Sequence, residues 1–217
     1  MNGTELSMRD ICTDIPAEVP LRTEAERTVR RAAAACGALA EEQIREALRT
    51  VIRNETNLVL IGMPTAGKTT LAGLVSAMTG RPVIETDDAV TKMLGTSIRE
   101  CFETKGETYF RDCETEAVRA LRHRRGMIIS CGGGVIKRPE NMEMLAENGR
   151  IIWIDREIEK LFPSESRPLS SSLQAVKKLY EERHMLYEKY SDVRIVNNGT
   201  PAEAAEAIVR YMESGEY

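Results

Sequence analysis

The stretch Gly62-Met63-Pro64-Thr65-Ala66-Gly67-Lys68-Thr69 limits the folds open to this chain more than any other, because it fits GxxxxGK[ST] and sits between the two elements such a loop needs. Before it, NLVLI (57–61) is a short, continuously apolar run of the kind that forms a strand buried on both faces. After it, LAGLVSAM has helical apolar spacing. A glycine-rich loop in that place turns backbone N–H groups and a helix N-terminus toward an anion. Gly62, Pro64, Thr65, Ala66, Gly67 and Thr70 would then surround nucleotide phosphates, Lys68 would reach the γ-phosphate, and the Thr69 hydroxyl would ligate Mg²⁺. A glycine-rich turn without nucleotide is the plainer alternative, and the flanking elements argue against it.

Four more apolar runs follow: RPVIE (81–85), GMIIS (126–130), RIIWI (150–154) and VRIV (193–196). Helical patterns separate them, and this alternation predicts a three-layer α/β/α domain with a five-stranded parallel sheet. Trp153 lies inside one run and is expected in the core. Thr200-Pro201-Ala202-Glu203 marks the start of a last helix, with Thr as N-cap, Pro at the first helical position and Glu three after the cap. At 217 residues, one such domain with an appendage is the natural organisation, 56–217 preceded by an extension at 1–55. Residues 1–22 show no periodicity and read as a lead-in, whereas two amphipathic stretches separated by Gly37 read as a helical hairpin.

A net charge of −4 gives no electrostatic reason to expect nucleic-acid binding. No run approaches the ~18 apolar residues of a membrane span, and the start lacks the charged and apolar regions of a secretory signal. Five cysteines without metal-site spacing read as reduced thiols. The expectation is a cytoplasmic protein without a membrane or nucleic-acid partner, with a monomer as the default.

The second strand ends in Glu85-Thr86-Asp87-Asp88, which places carboxylates at the sheet edge where open α/β folds bind ligands. One could hold metal-bound water, and another could accept a hydrogen bond and a proton from a substrate hydroxyl. N-capping of the next helix by Asp87 or Asp88 is the bland alternative. Ser130 ends the third strand, as a neighbour of the Mg²⁺ waters or as a simple strand-end hydroxyl, and Gly132, Gly133 and Gly134 follow it, where missing side chains would let a ligand touch backbone. Arg183 falls on the apolar stripe of a helix over about 173–190, where a cation needs an anion or a structural carboxylate. Arg111 borders another apolar stripe, and its pattern suits a cleft or the surface equally. The polar segment SESRPLSSS (164–172) has the composition of a mobile cover, and its one cation, Arg167, could close on the transferring phosphoryl group. His123 and His184 are not at metal spacing.

Over 57–213 these motifs resemble the shikimate kinase family: GMPTAGKTT its nucleotide loop, ETDDAV its substrate motif, YFRDCE its FRxxE segment, then CGGGV, SRPLS and ERHMLYEKYSD in the same order. The resemblance implies transfer of the ATP γ-phosphate to the 3-hydroxyl of shikimate, with Mg²⁺. It also implies that Asp87 binds the substrate hydroxyls and is the candidate base, that Arg111 and Arg183 hold the carboxylate, and that residues 132–134 line the ring. Lys68 and Arg167 would then attend the phosphates, while Thr69, Glu85 and Ser130 lie near the metal. Glu85 departs from the family's usual Asp, the segment between Asp155 and Arg167 is short, and the adenine-side arginine has no counterpart unless Lys160 serves. The extension is similar to the linker of chains that fuse shikimate dehydrogenase ahead of the kinase, which implies a remnant or a docking element. A gluconate-type kinase, which need not present Asp87, Arg111 and Arg183 together, and a nucleotide-binding module without transfer activity are the competing readings.

Overall fold

The computed structural model describes residues 38–161 and 172–214. The lead-in, the first half of the expected hairpin and the segment bearing Arg167 lie outside the described residues.

Helix α1 (Ala38–Glu55) leads into β1 (Asn57–Ile61), the loop, and α2 (Lys68–Thr79). Then follow β2 (Val83–Glu85), α3 (Thr86–Leu94), α4 (Ile98–Thr104) and α5 (Gly106–Leu121). Next come β3 (Ile128–Ser130), a 3₁₀ turn at Val135–Lys137, α6 (Pro139–Ala146) and β4 (Gly149–Asp155). A 3₁₀ turn at Ile158–Lys160 precedes α7 (Leu173–Tyr190), β5 (Val193–Val196) and α8 (Pro201–Ser214). The sheet is parallel throughout, in the order β2-β3-β1-β4-β5. α2 packs on α8, and α6 and α7 pack on β4, so helices cover both faces. β1 is therefore central and wholly buried, which explains why its sequence is continuously apolar rather than alternating.

All five expected strands are present, but two are shorter than their apolar runs. Arg81 does not continue β2: its guanidinium turns back to donate to the carbonyls of Thr56 and Arg53, and Pro82 has no N–H to offer a ladder. Gly126 stands before β3 at φ +65°, where its N–H donates to Glu55 O at 2.8 Å. These contacts bind the end of α1 to the body of the domain. The expected cap at Thr200 is formed, with its N–H donating to Glu203 at 2.8 Å and Glu203 N–H donating back to the Thr200 hydroxyl at 3.3 Å. Trp153 is buried and stacks on Tyr187, with ring centroids 6.2 Å apart.

One large core fills the space around the sheet. A second, made of Val90, Cys101, Phe110 and Ala117, lies among α3, α4 and α5. That helical lobe follows directly on β2.

Candidate active site

The phosphate loop is shaped by backbone conformations that its sequence was chosen to permit. Gly62 (φ +144°) and Gly67 (φ +98°) lie outside the range of ordinary side chains, and a Cβ on Gly62 would overlap the carbonyl oxygen of Ile154. Thr65 holds a left-handed conformation without being glycine (φ +64°). Asn197, at the end of β5, donates from Nδ2 to Ala66 O at 2.8 Å and ties the loop to the far side of the sheet. Lys68 is buried, and its ammonium donates to the carbonyls of Gly62 and Met63 at 2.9 Å each. A lysine held against its own loop is positioned where an incoming phosphate can take over those contacts.

The register pairs Glu85 with Ser130 at the C-terminal ends of β2 and β3. Glu85 Oε1 and Ser130 Oγ are both buried without a hydrogen-bond partner. Together with Thr65, Gly67, Lys68, Thr69, Thr70, Cys131 and Arg156 they line one cavity of about 260 Å³. Unpartnered buried oxygens are costly, and hard oxygen donors beside an anion-binding loop are the chemistry Mg²⁺ takes. The residues present therefore fit such an ion. Burial and the nearby carboxylates Glu114, Asp87 and Glu85 push the Cys131 thiol far up, so it is no nucleophile.

Asp87 and Asp88 fall in the first turn of α3, and Glu85 occupies the N-cap position without a side-chain cap bond. Neither aspartate caps the helix, which begins two residues earlier than a cap at Asp87 would allow. Asp87 instead borders the glycine run. A Cβ on Gly132 would overlap Asp87 Oδ1, one on Gly133 would lie 2.9 Å from Pro64 Cδ, and one on Gly134 would overlap the Arg111 guanidinium. The three glycines are thus where the phosphate loop, Asp87 and Arg111 come together.

Arg111 is buried, and its guanidinium reaches Glu114 at 2.7 Å and Glu107 at 3.2 Å. Burial pushes the Glu114 carboxyl up against the pull of Arg111, with Asp87 adding to the rise, and its Oε1 has no partner. Burial also raises Glu107, but Lys137 at 2.7 Å and Arg111 outweigh it and hold that carboxyl below the usual glutamate range. Arg183 is buried on α7, and its Nη1 donates to Gly133 O at 2.8 Å, beside the Tyr187 hydroxyl at 2.6 Å on the same oxygen. Arg183 Nε is buried without a partner. Neither arginine lies on the surface.

The structure brings Lys68, Thr69, Thr70, Glu85 and Ser130 to one cavity, and Asp87, Arg111 and Arg183 to the glycine run at its edge. Arg167 lies outside the described residues. Lys160 binds its own turn, at 3.1 Å from both Glu157 and Asn198 O. Sequence reasoning assigned no role in the site to Glu114, Asn197, Tyr187 or Arg156: Glu114 pairs with Arg111 one helical turn before it, whereas the other three acquire meaning only from neighbours far along the chain. His184 stacks on Tyr180, and among the described residues no group of His, Cys, Asp or Glu forms a metal cluster.

A parallel sheet in this order, a phosphate loop after its central strand and charged groups at the adjoining edge define a P-loop kinase of small molecules. The shikimate kinase family model matches residues 64–213. A shikimate kinase of Clostridium botulinum is 37% identical over 162 residues, 73% of this chain and 98% of that protein. One from Bacillus subtilis is 34% identical over 177 residues, 78% of this chain and 95% of that protein. The solved shikimate kinase of Acinetobacter baumannii, in complex with shikimate, superposes with a TM-score of 0.71 at 26% identity, covering 77% of this chain and 98% of that one. The chain belongs to the shikimate kinase family, ATP-dependent kinases acting on shikimate.

Proposed function

We propose that this chain transfers the γ-phosphate of ATP to the 3-hydroxyl of shikimate, with nucleotide bound by the loop and acceptor by the glycine run. The observation that carries this reading is the convergence of Asp87, Arg111 and Arg183 on residues 132–134, directly against Pro64 of the phosphate loop. Arg111 and Arg183 bind the acceptor's carboxylate, where two forked guanidiniums fix orientation as well as affinity. Asp87 accepts a hydrogen bond from the reacting hydroxyl and takes its proton as the O–P bond forms and the bond to the β-phosphate oxygen breaks, releasing ADP. Lys68 leaves the carbonyls of Gly62 and Met63 to follow the transferring group, and Arg167 closes on it from the segment 162–171. Mg²⁺, when bound, would neutralise charge on the phosphates and would be held by Thr69, Glu85 and Ser130, directly or through water. Gly62, Pro64, Thr65, Ala66, Gly67 and Thr70 complete the nucleotide site.

The same reading gives a catalytic domain at 56–217 and a separate role, remnant or docking element, for 1–55. It also gives a monomer working in the cytoplasm. Among the described residues no helix is long and apolar enough to cross a membrane.

The test is ADP release from MgATP with shikimate, gluconate or quinate, by wild type and Asp87→Asn. Release dependent on shikimate alone, and reduced about 10²–10⁴-fold in the variant as expected for a lost acid–base group, supports the assignment. Equal release with gluconate, or an unaffected variant, contradicts it.

A further inference from the structure

β4 ends at Asp155, and the next residue, Arg156, lines the cavity of the phosphate loop. Its Nε is buried without a hydrogen-bond partner, and among the described residues its guanidinium makes no ion pair. The carboxylates that flank it in the chain are already taken. Asp155 is bound by Arg194 at 2.5 and 3.0 Å, and Glu157 by Lys160 at 3.1 Å. Arg156 as a whole is half-buried, but an N–H donor withdrawn from water and left unpaired is costly, and an anion in the cavity would relieve that cost.

The backbone around Arg156 is held on both sides. Asn197 N–H donates to Asp155 O at 2.8 Å, and Glu157 N–H donates to Asn198 Oδ1 at 2.9 Å. Because Asn197 also donates its side-chain amide to Ala66 O, the frame that carries Arg156 is the one that carries the phosphate loop. Strand order separates this residue from the oxygens suited to a cation: Glu85 and Ser130 end β2 and β3 on one side of β1, whereas Arg156 follows β4 on the other. A polyphosphate lying along the loop would thus meet carboxylate and hydroxyl oxygens on one flank and a guanidinium on the other.

We infer that Arg156 is a nucleotide-phosphate ligand mounted on the rigid body of the domain, gripping ADP and ATP alike from the β4 side of the loop. It rests on the reading of this cavity as the nucleotide site, and not on the identity of the acceptor. A residue bound to phosphates before and after transfer stabilises ground and transition states together, so its loss raises KM for ATP more than it lowers kcat.

Calorimetric titration of wild type, Arg156→Met and Arg156→Lys with MgADP, and separately with shikimate, tests this. Loss of one charge-assisted phosphate contact should weaken MgADP binding roughly 10- to 100-fold in Arg156→Met. Arg156→Lys should fall between, because it keeps the charge and loses the fork. Shikimate affinity should hold within about twofold, since Asp87, Arg111 and Arg183 do not line this cavity. An unchanged Kd for MgADP in either variant, with an unchanged thermal midpoint, overturns the inference. So does a large loss of kcat at unchanged nucleotide affinity, which would make the contact one of the transition state. If Arg156→Met does not fold, the lysine variant alone decides. Wild type that binds MgADP but not shikimate would contradict the proposed acceptor and leave the Arg156 comparison standing; wild type that binds no nucleotide would sink both.

Discussion

The two halves of the site are built from different materials. The nucleotide half is made of backbone: a loop with two glycines at positive φ, a helix N-terminus and the ends of adjoining strands, all resting on the large core. The acceptor half is made of side chains on α3, α5 and α7, and much of it rests on a small core of Val90, Cys101, Phe110 and Ala117. In the nucleotide half, buried groups such as Glu85 Oε1 and Ser130 Oγ stand without partners. The charges of the acceptor half are largely balanced among themselves, Arg111 against Glu107 and Glu114. The difference is one of degree: Lys68 also holds internal contacts, and Glu114 Oε1 and Arg183 Nε also lack partners, but only the acceptor half has to open ion pairs to take its ligand.

The sharpest break between the halves comes from Lys68→Ala, which should lower kcat/KM by about 10³-fold or more through lost charge stabilisation while shikimate affinity barely moves; steady-state kinetics with a shikimate titration check it. Next is Gly134→Ala. Gly134 has φ −110°, open to any residue, so the only penalty is the overlap of the new methyl with the Arg111 guanidinium. Displacing one carboxylate-binding arginine should raise KM for shikimate roughly 10-fold or more and leave KM for ATP near its wild-type value.

A smaller effect is expected in native-state hydrogen exchange. Amides of α3 and α4 should exchange faster than those of β1 and β4, because a lobe with a small core opens at lower free energy than the sheet. Equal protection would mean the two cores unfold as one. The smallest effect is a pH drift. Burial raises the Glu114 carboxyl in the folded chain, so the native state binds that proton more tightly than the unfolded chain. Its contribution to stability is full below the ordinary glutamate pKa and declines as pH rises through the raised folded value. Glu114→Gln should flatten that decline, as read from urea midpoints taken across this window.

The same contrast explains what was legible in the sequence. NLVLI and the loop after it are contiguous, so their physics could be read along the chain, as could the capping box at Thr200. Arg111 was not decided by pattern, because a cation at the border of an apolar stripe can face solvent or interior, whereas Arg183 on its stripe already pointed inward and needed an anion or a structural carboxylate; resemblance named the ligand for both. Burial and the close approach of Gly133 and Gly134 now place both inside. The capping alternative for Asp87 and Asp88 does not hold, since Glu85 leads straight from strand into helix. Arg156 was invisible, because what distinguishes it is which carboxylates are already occupied, and that depends on Arg194 and Lys160.

The most direct test of the two-part site is a crossed binding experiment, titrating Lys68→Ala and Arg183→Met each with MgADP and with shikimate. The account requires opposite losses. Arg183→Met should bind shikimate roughly 10- to 100-fold more weakly with nucleotide affinity intact, and Lys68→Ala the reverse in kind. Arg183→Met that binds shikimate as wild type does, or loses both ligands equally while remaining folded, would contradict it.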